Sequence, residues 1–96
     1  DNFLAFSGIG NHQTFISMIK NYGMKIIKDI EFPDHYKFKK KDINEILTIS
    51  KKLNCKIITT EKDFLRLETE KIDQIKYIKS DLSIQDEDKL IKAIMN

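Results

Sequence analysis

The sequence predicts an α/β fold: a small, mostly parallel sheet of about four strands with helices on both faces. Three observations predict it. Short apolar runs alternate with segments whose apolar positions recur every three to four residues. Glycine, proline or a polar turn marks most changes between the two patterns. The resulting order, strand then helix throughout, is that of parallel strands joined by right-handed crossovers.

The elements follow in sequence. Phe3 to Ser7 ("FLAFS") is an apolar run of strand length, punctuated by "GIGN" with Asn11 as helix N-cap. Phe15, Ile16, Met18, Ile19 and Tyr22 lie on one helical face, and Gly23 closes that helix because glycine adopts the left-handed conformation readily. Lys25 to Glu31 is a second strand with Ile26, Ile27 and Ile30; Pro33 ends it, having no N–H for a sheet ladder. Ile43, Ile46, Leu47, Ile49 and Leu53 predict an amphipathic helix over Asp42 to Leu53. Lys56 to Thr60 ("KIITT") is a third strand and "EKDFLRL" begins a short helix. Lys76 to Ile84 is a fourth extended run with Asp81 at a bulge or bend. Asp86 to Met95 closes the chain as a helix with acids in its first turn, where the helix dipole favours them. The predicted order is β-α-β-α-β-α-β-α.

Ninety-six residues make a single α/β domain, 1–96. The chain opens without methionine, almost directly in a strand-like run, and reads as a piece of a longer protein that shares its function. A net charge of +2, with no basic stripe interleaved with aromatics, argues against nucleic acid as a partner. No apolar run nears the roughly 18 residues of a membrane span, and the sequence shows no signal-peptide pattern. The single cysteine, Cys55, excludes an intrachain disulfide, and no cluster has metal-ligand spacing. Arg66 is the only arginine among many lysines.

In parallel α/β sheets, ligands bind beyond the carboxyl ends of the strands. Three unusual stretches fall there. In "SGIGNHQ", Gly8 and Gly10 begin a dinucleotide fingerprint, but Gln13 fills its third small position. The stretch is either a tight strand-to-helix turn or a helix start whose N–H groups face an anion. His12 has no visible partner and reads as a surface residue. In "FPDHYKF", Pro33 stiffens a loop carrying Asp34 and His35. It is either a turn with a surface histidine, or half of an acid–imidazole pair whose acid lies elsewhere. In "TTEKDFLRL", Thr60 and Asp63 have capping-box spacing and Glu61 suits the first turn. Lys62 does not; at a helix start beside a cleft it could hold phosphate or pair with a carboxylate. "KFKKK", Lys37 to Lys41, sets positive charge against the dipole of the second helix and reads as a solvated patch.

Taken in order, "AFSGIGN", "FPDHYKF" and "TTEKDFLRL" resemble the carboxyl-terminal part of the tetraacyldisaccharide 4'-kinases, whose pattern is A-F-x-G-I-G-N-P, then F-P-D-H-H, then T-T-E-K-D-x-x-R-L. The resemblance covers nearly the whole chain, and the spacings between the motifs fit. It implies transfer of the ATP γ-phosphate, with Mg²⁺, to the 4'-hydroxyl of a lipid A disaccharide precursor at the cytoplasmic face of the inner membrane. It implies that this chain lacks an amino-terminal P-loop domain, which mainly holds ATP and Mg²⁺ and is its main partner, and that it has no activity alone. The motif histidine falls on Asp34-His35, implied to work with a carboxylate of the missing domain. Thr60, Glu61, Lys62 and Asp63 are implied to line the cleft near nucleotide or the domain junction, with Gly8, Gly10 and Asn11 near that junction. There are departures: His12 stands where the family commonly has proline, Tyr36 replaces the second histidine, and Lys39 to Lys41 replace a serine cap with acids. The alternative reading from the residues alone is a non-catalytic phosphate- or ligand-binding α/β module.

Overall fold

A computed structural model describes residues 2–67 and 72–78. Its elements are β1 (Asn2–Ser7), α1 (His12–Asn21), β2 (Lys25–Glu31), α2 (Lys40–Leu53), β3 (Lys56–Thr60), α3 (Glu61–Leu65), a 3₁₀ turn (Ile72–Gln74) and β4 (Ile75–Ile78). The expected continuation of the fourth strand over 79–84 and the expected helix over 86–95 lie outside the described residues.

The four strands form one parallel sheet in the order β2-β1-β3-β4. The chain runs outward from β1 to β2, then crosses back to place β3 on the other side of β1. Right-handed crossovers in opposite directions put their helices on opposite faces, and the core divides accordingly. Phe3, Ala5 and Ile58 pack with Phe15, Ile16 and Ile19 of α1. Leu4, Phe6 and Ile57 pack with Ile43 and Ile46 of α2, and with Phe38. Both faces of the central strands are buried, which is why β1 reads as an unbroken apolar run.

β2 contains an irregularity that its sequence half conceals. Ile26 and Ile30 are four residues apart, so in a regular strand both would face the same way. They do not: Ile26 packs on the α1 side and Ile30 on the α2 side. The register explains this, for Phe3 pairs with Ile26 but Leu4 pairs with Lys28, leaving Ile27 as the extra residue of a bulge. Ile27 is accordingly exposed. Beyond the bulge Asp29 is paired with Ala5, on the α1 side of the sheet.

Helix ends follow local chemistry. Gly23 has φ +88° with open space where a Cβ would stand, so handedness alone requires glycine there. Asn11 occupies the N-cap position of α1 but makes no side-chain capping bond. α2 begins at Lys40, two residues before the predicted Asp42, because Asp42 takes the third helical position. Its carboxylate accepts the backbone N–H of Lys39 at 2.9 Å and the Tyr36 hydroxyl at 2.8 Å. Lysine at the cap has no acceptor to offer, so only the acid half of a capping box exists.

Donation to Asp42, followed by partial burial and the charges of Asp42 and Glu45, raises the Tyr36 phenol above its ordinary value. The folded state therefore favours neutral Tyr36. That contribution is complete below the unfolded phenol value of about 10 and is lost as pH rises through the folded value. An ultraviolet titration of phenolate should place the Tyr36 step above that of free tyrosine, and Tyr36→Phe should remove that step alone.

Candidate functional site

The loops after β1 and β3 leave the sheet where the direction of travel reverses, the place where open α/β sheets form a ligand crevice. The loop after β2 joins them, and Gly8 is the point of contact for all three. Its N–H donates to Asp63 Oδ2 at 3.1 Å, and its carbonyl accepts the His35 backbone N–H at 3.0 Å. One residue earlier, the Ser7 carbonyl accepts the Phe32 N–H at 2.8 Å. A Cβ on Gly8 would stand 3.3 Å from both Asp63 Oδ1 and the Pro33 carbonyl oxygen. Glycine is thus favoured at position 8 by two loops closing on it, since a Cβ would force each to give by a few tenths of an ångström. Gly8→Ala should cost about 1–3 kcal/mol through overpacking, seen as faster amide exchange in β1 and β3.

Asp63 is fully buried at the floor of this crevice. Thr60 Oγ1 accepts the Asp63 N–H at 3.2 Å and donates its own proton to Asp63 Oδ2 at 2.7 Å. The expected capping pair therefore forms in part: Thr60 caps α3, while the carboxylate turns to the Thr60 hydroxyl and to Gly8, 55 positions away. Asp63 Oδ1 makes no hydrogen bond among the described residues and faces Arg66 Nη1 at 3.8 Å, which is equally unpartnered.

His35 stands at the rim. Its backbone has φ +62°, a left-handed conformation in which His, Asn and Asp are enriched among non-glycine residues. The preceding Pro33 closes the turn by accepting the Tyr36 N–H at 3.0 Å. The imidazole is 79% exposed; Nε2 lies 3.7 Å from Asp34 Oδ2, too far for a hydrogen bond, and Nδ1 lies 3.4 Å from Arg66 Nη2. It opens on a surface cleft of about 480 Å³ lined by His35, Tyr36, Lys37, Phe38 and Arg66. Among the described residues, a larger groove of about 650 Å³ along α2 is lined by none of the three loops and carries only Lys51 as a charged group. Aromatic packing fixes the cleft wall: Tyr36 stacks on Phe32 at 4.9 Å between centroids, and Phe38 meets both edge-on.

Of the residues expected at the site, Gly8, Thr60, Asp63, Asp34 and His35 come together. Gly10 lies beside Asp34, with its Cβ position 3.5 Å from Asp34 Oδ2. Asn11 and Lys62 are exposed, and Glu61 is half-exposed on the first turn of α3. Lys37 and Lys39 to Lys41 are exposed as expected.

His12 corrects the sequence reading. It is buried rather than on the surface, and it has two partners: Ser7 Oγ at 2.5 Å from Nδ1 and Asp29 Oδ2 at 2.7 Å from Nε2. The three residue types are those of a hydrolytic triad, but Ser7 is fully buried and no substrate reaches its hydroxyl. The cluster ties β1, α1 and β2 together. Sequence reading noted Arg66 but gave it no role; its place as the arginine of the T-T-E-K-D-x-x-R-L pattern, three residues after Asp63, was the available signal.

Sheet, switch point and loops define a parallel α/β protein whose three loops converge at the strand ends, where folds of this class bind ligands. The family model for Tetraacyldisaccharide-1-P 4'-kinase matches residues 1–96. A "Tetraacyldisaccharide 4'-kinase" of Pelagibacter ubique (strain HTCC1062) is 53% identical over 94 residues, covering 98% of this chain and 30% of that protein. Proteins with the same description from Rickettsia akari (strain Hartford) and Rickettsia bellii (strain OSU 85-389) are 43% and 41% identical over 68% and 69% of the chain, and 20% and 21% of their own lengths. No solved structure matches. The chain belongs to the tetraacyldisaccharide 4'-kinase family, kinases of lipid A biosynthesis, and spans under a third of the length of these relatives.

Proposed function

We propose that residues 1–96 are a single carboxyl-terminal α/β domain of a lipid A 4'-kinase, closing over an active site whose P-loop lies in the rest of the protein. The reaction is transfer of the ATP γ-phosphate to the 4'-hydroxyl of a tetraacyldisaccharide 1-phosphate. One observation carries the reading: three family motifs far apart in sequence are hydrogen-bonded at one switch point, with His35 exposed at its rim.

Phosphoryl transfer needs positioning and charge stabilisation more than covalent chemistry from the protein. In this reading a carboxylate of the other domain takes the proton of the 4'-hydroxyl as its oxygen attacks the γ-phosphorus and ADP leaves. His35 orients that carboxylate, flanked by Asp34. Gly8, Gly10, Asn11, Thr60, Glu61, Lys62 and Asp63 form the wall toward nucleotide and the domain junction, Thr60 and Asp63 by holding its shape from within. Among the described residues no group of three or more His, Cys, Asp or Glu could hold a metal ion. The reading assigns Mg²⁺ and the triphosphate mainly to the P-loop domain, as the family resemblance implies. No described helix is long and apolar enough to cross a membrane; placement at the cytoplasmic face of the inner membrane belongs to the full-length protein.

The test compares ATP-dependent phosphorylation of the tetraacyldisaccharide 1-phosphate by the full-length protein and by residues 1–96 alone. Activity is expected only in the full-length protein. Turnover by the shorter chain would overturn the division of labour, and an inactive full-length protein the reaction itself.

A further inference from the structure

We infer that Arg66, anchored by Asp63, is the positioning residue for the His35 imidazole and fixes it as the tautomer whose Nε2–H is the donor. The inference rests on the role proposed above for His35 and adds which nitrogen does the work and what holds it.

A guanidinium has donors only and stays charged throughout the working range. The nitrogen facing it must therefore be an acceptor. Arg66 Nη2 faces His35 Nδ1 at 3.4 Å, so in the neutral ring Nδ1 carries the lone pair and Nε2 the hydrogen. That distance is at the long end for a hydrogen bond, as catalytic contacts often are before substrate closes the site. Nε2 is also the nitrogen on the side of Asp34 Oδ2, at 3.7 Å. The ring thus presents a donor toward acidic groups, as a histidine that orients a carboxylate requires.

Without Arg66 little would hold this ring, since His35 is among the most exposed side chains of the site. Arg66 is itself only 33% exposed, and its Nη1 is buried opposite Asp63 Oδ1. Asp63 cannot swing away, because Oδ2 is tied to the Gly8 N–H and the Thr60 hydroxyl. The two buried atoms without a hydrogen-bond partner among the described residues, Asp63 Oδ1 and Arg66 Nη1, are thus the charged joint linking the β1 and β3 loops to the His35 rim. A purely structural Asp63–Arg66 pair would not need the second guanidinium nitrogen directed at His35.

The test uses the full-length kinase with ¹⁵N-histidine labelling and four forms: parent, Arg66→Gln, Arg66→Lys and His35→Asn. Arg66→Lys keeps a charge beside Asp63, and so the fold, while losing the nitrogen that reaches His35. Imidazole ¹⁵N resonances should show one His35 tautomer in the parent, with Nδ1 unprotonated, and a mixture in both Arg66 variants. Turnover should fall about 10- to 100-fold in those variants, the scale of a mispositioned catalytic group, with little change in KM for ATP. In the His35→Asn background the same substitutions should lower kcat no further. A tautomer mixture in the parent, or equal losses from Arg66→Lys with and without His35, would overturn the inference. Unchanged turnover in His35→Asn alone would instead refute the role of His35, leaving the resonances to decide the tautomer.

Discussion

Asp63→Ala should destabilise the sheet–loop junction by about 2–4 kcal/mol. The substitution leaves the buried Gly8 N–H without an acceptor, a loss of about 1–3 kcal/mol by itself. It also removes the carboxylate facing Arg66, whose partial exposure lets water offset some of that loss. The Thr60 cap survives, since its oxygen still accepts the backbone N–H of residue 63. Asp63→Asn separates the terms. Its amide oxygen can replace Oδ2 toward Gly8 and Thr60, so the loop should hold at a cost of about 1 kcal/mol, while the charge opposite Arg66 is gone. Native-state amide exchange of β1 and β3 in the full-length protein measures both. Equal protection in Asp63→Ala and the parent would show that this carboxylate does not hold the crevice. Against a typical total of about 5–15 kcal/mol, the alanine variant loses a large share.

On the role proposed for it, His35→Asn in the full-length kinase should lower kcat by about 10²–10⁴-fold, the usual contribution of general-base catalysis, which is lost when the base is no longer oriented. Asparagine is the informative replacement because it tolerates the left-handed backbone at φ +62° that alanine adopts only at a cost. Amide exchange should match the parent. His35→Ala should show a similar loss of turnover with some added loss of protection in the turn. Turnover within a factor of about two of the parent, well below that range, would reduce His35 to a turn residue.

Much of the fold can be read along the chain because neighbours decide it. The apolar run of β1, the 3.6-residue period of α1 and α2, and Gly23 as a helix stop are local signals, and each element stands within a residue or two of its expected place. What escaped depends on partners distant in sequence. Two adjacent isoleucines, Ile26 and Ile27, give no local hint of which one the sheet leaves unpaired. Because the bulge puts Asp29 on the α1 side, the burial of His12 was equally hidden. The motifs brought attention to Asp63 and His35, and chain order showed that their loops share one edge. Spacing could not show that Asp63 bonds to Gly8, or that Arg66 reaches His35, since both contacts span long stretches of chain.

The surplus residue in β2 has a consequence for how this chain can change length. Counted against β1, β2 has one residue more than the ladder uses. Shortening it by one near Ile27 would make the pairing continuous and leave Asp29 still facing His12 and Ile30 still facing α2. Lengthening it by one would reverse every side chain up to Glu31, putting Asp29 on the wrong side of the sheet. The strand that leads into the His35 loop is therefore permissive toward deletion and intolerant of insertion, an asymmetry that composition and hydropathy do not reveal.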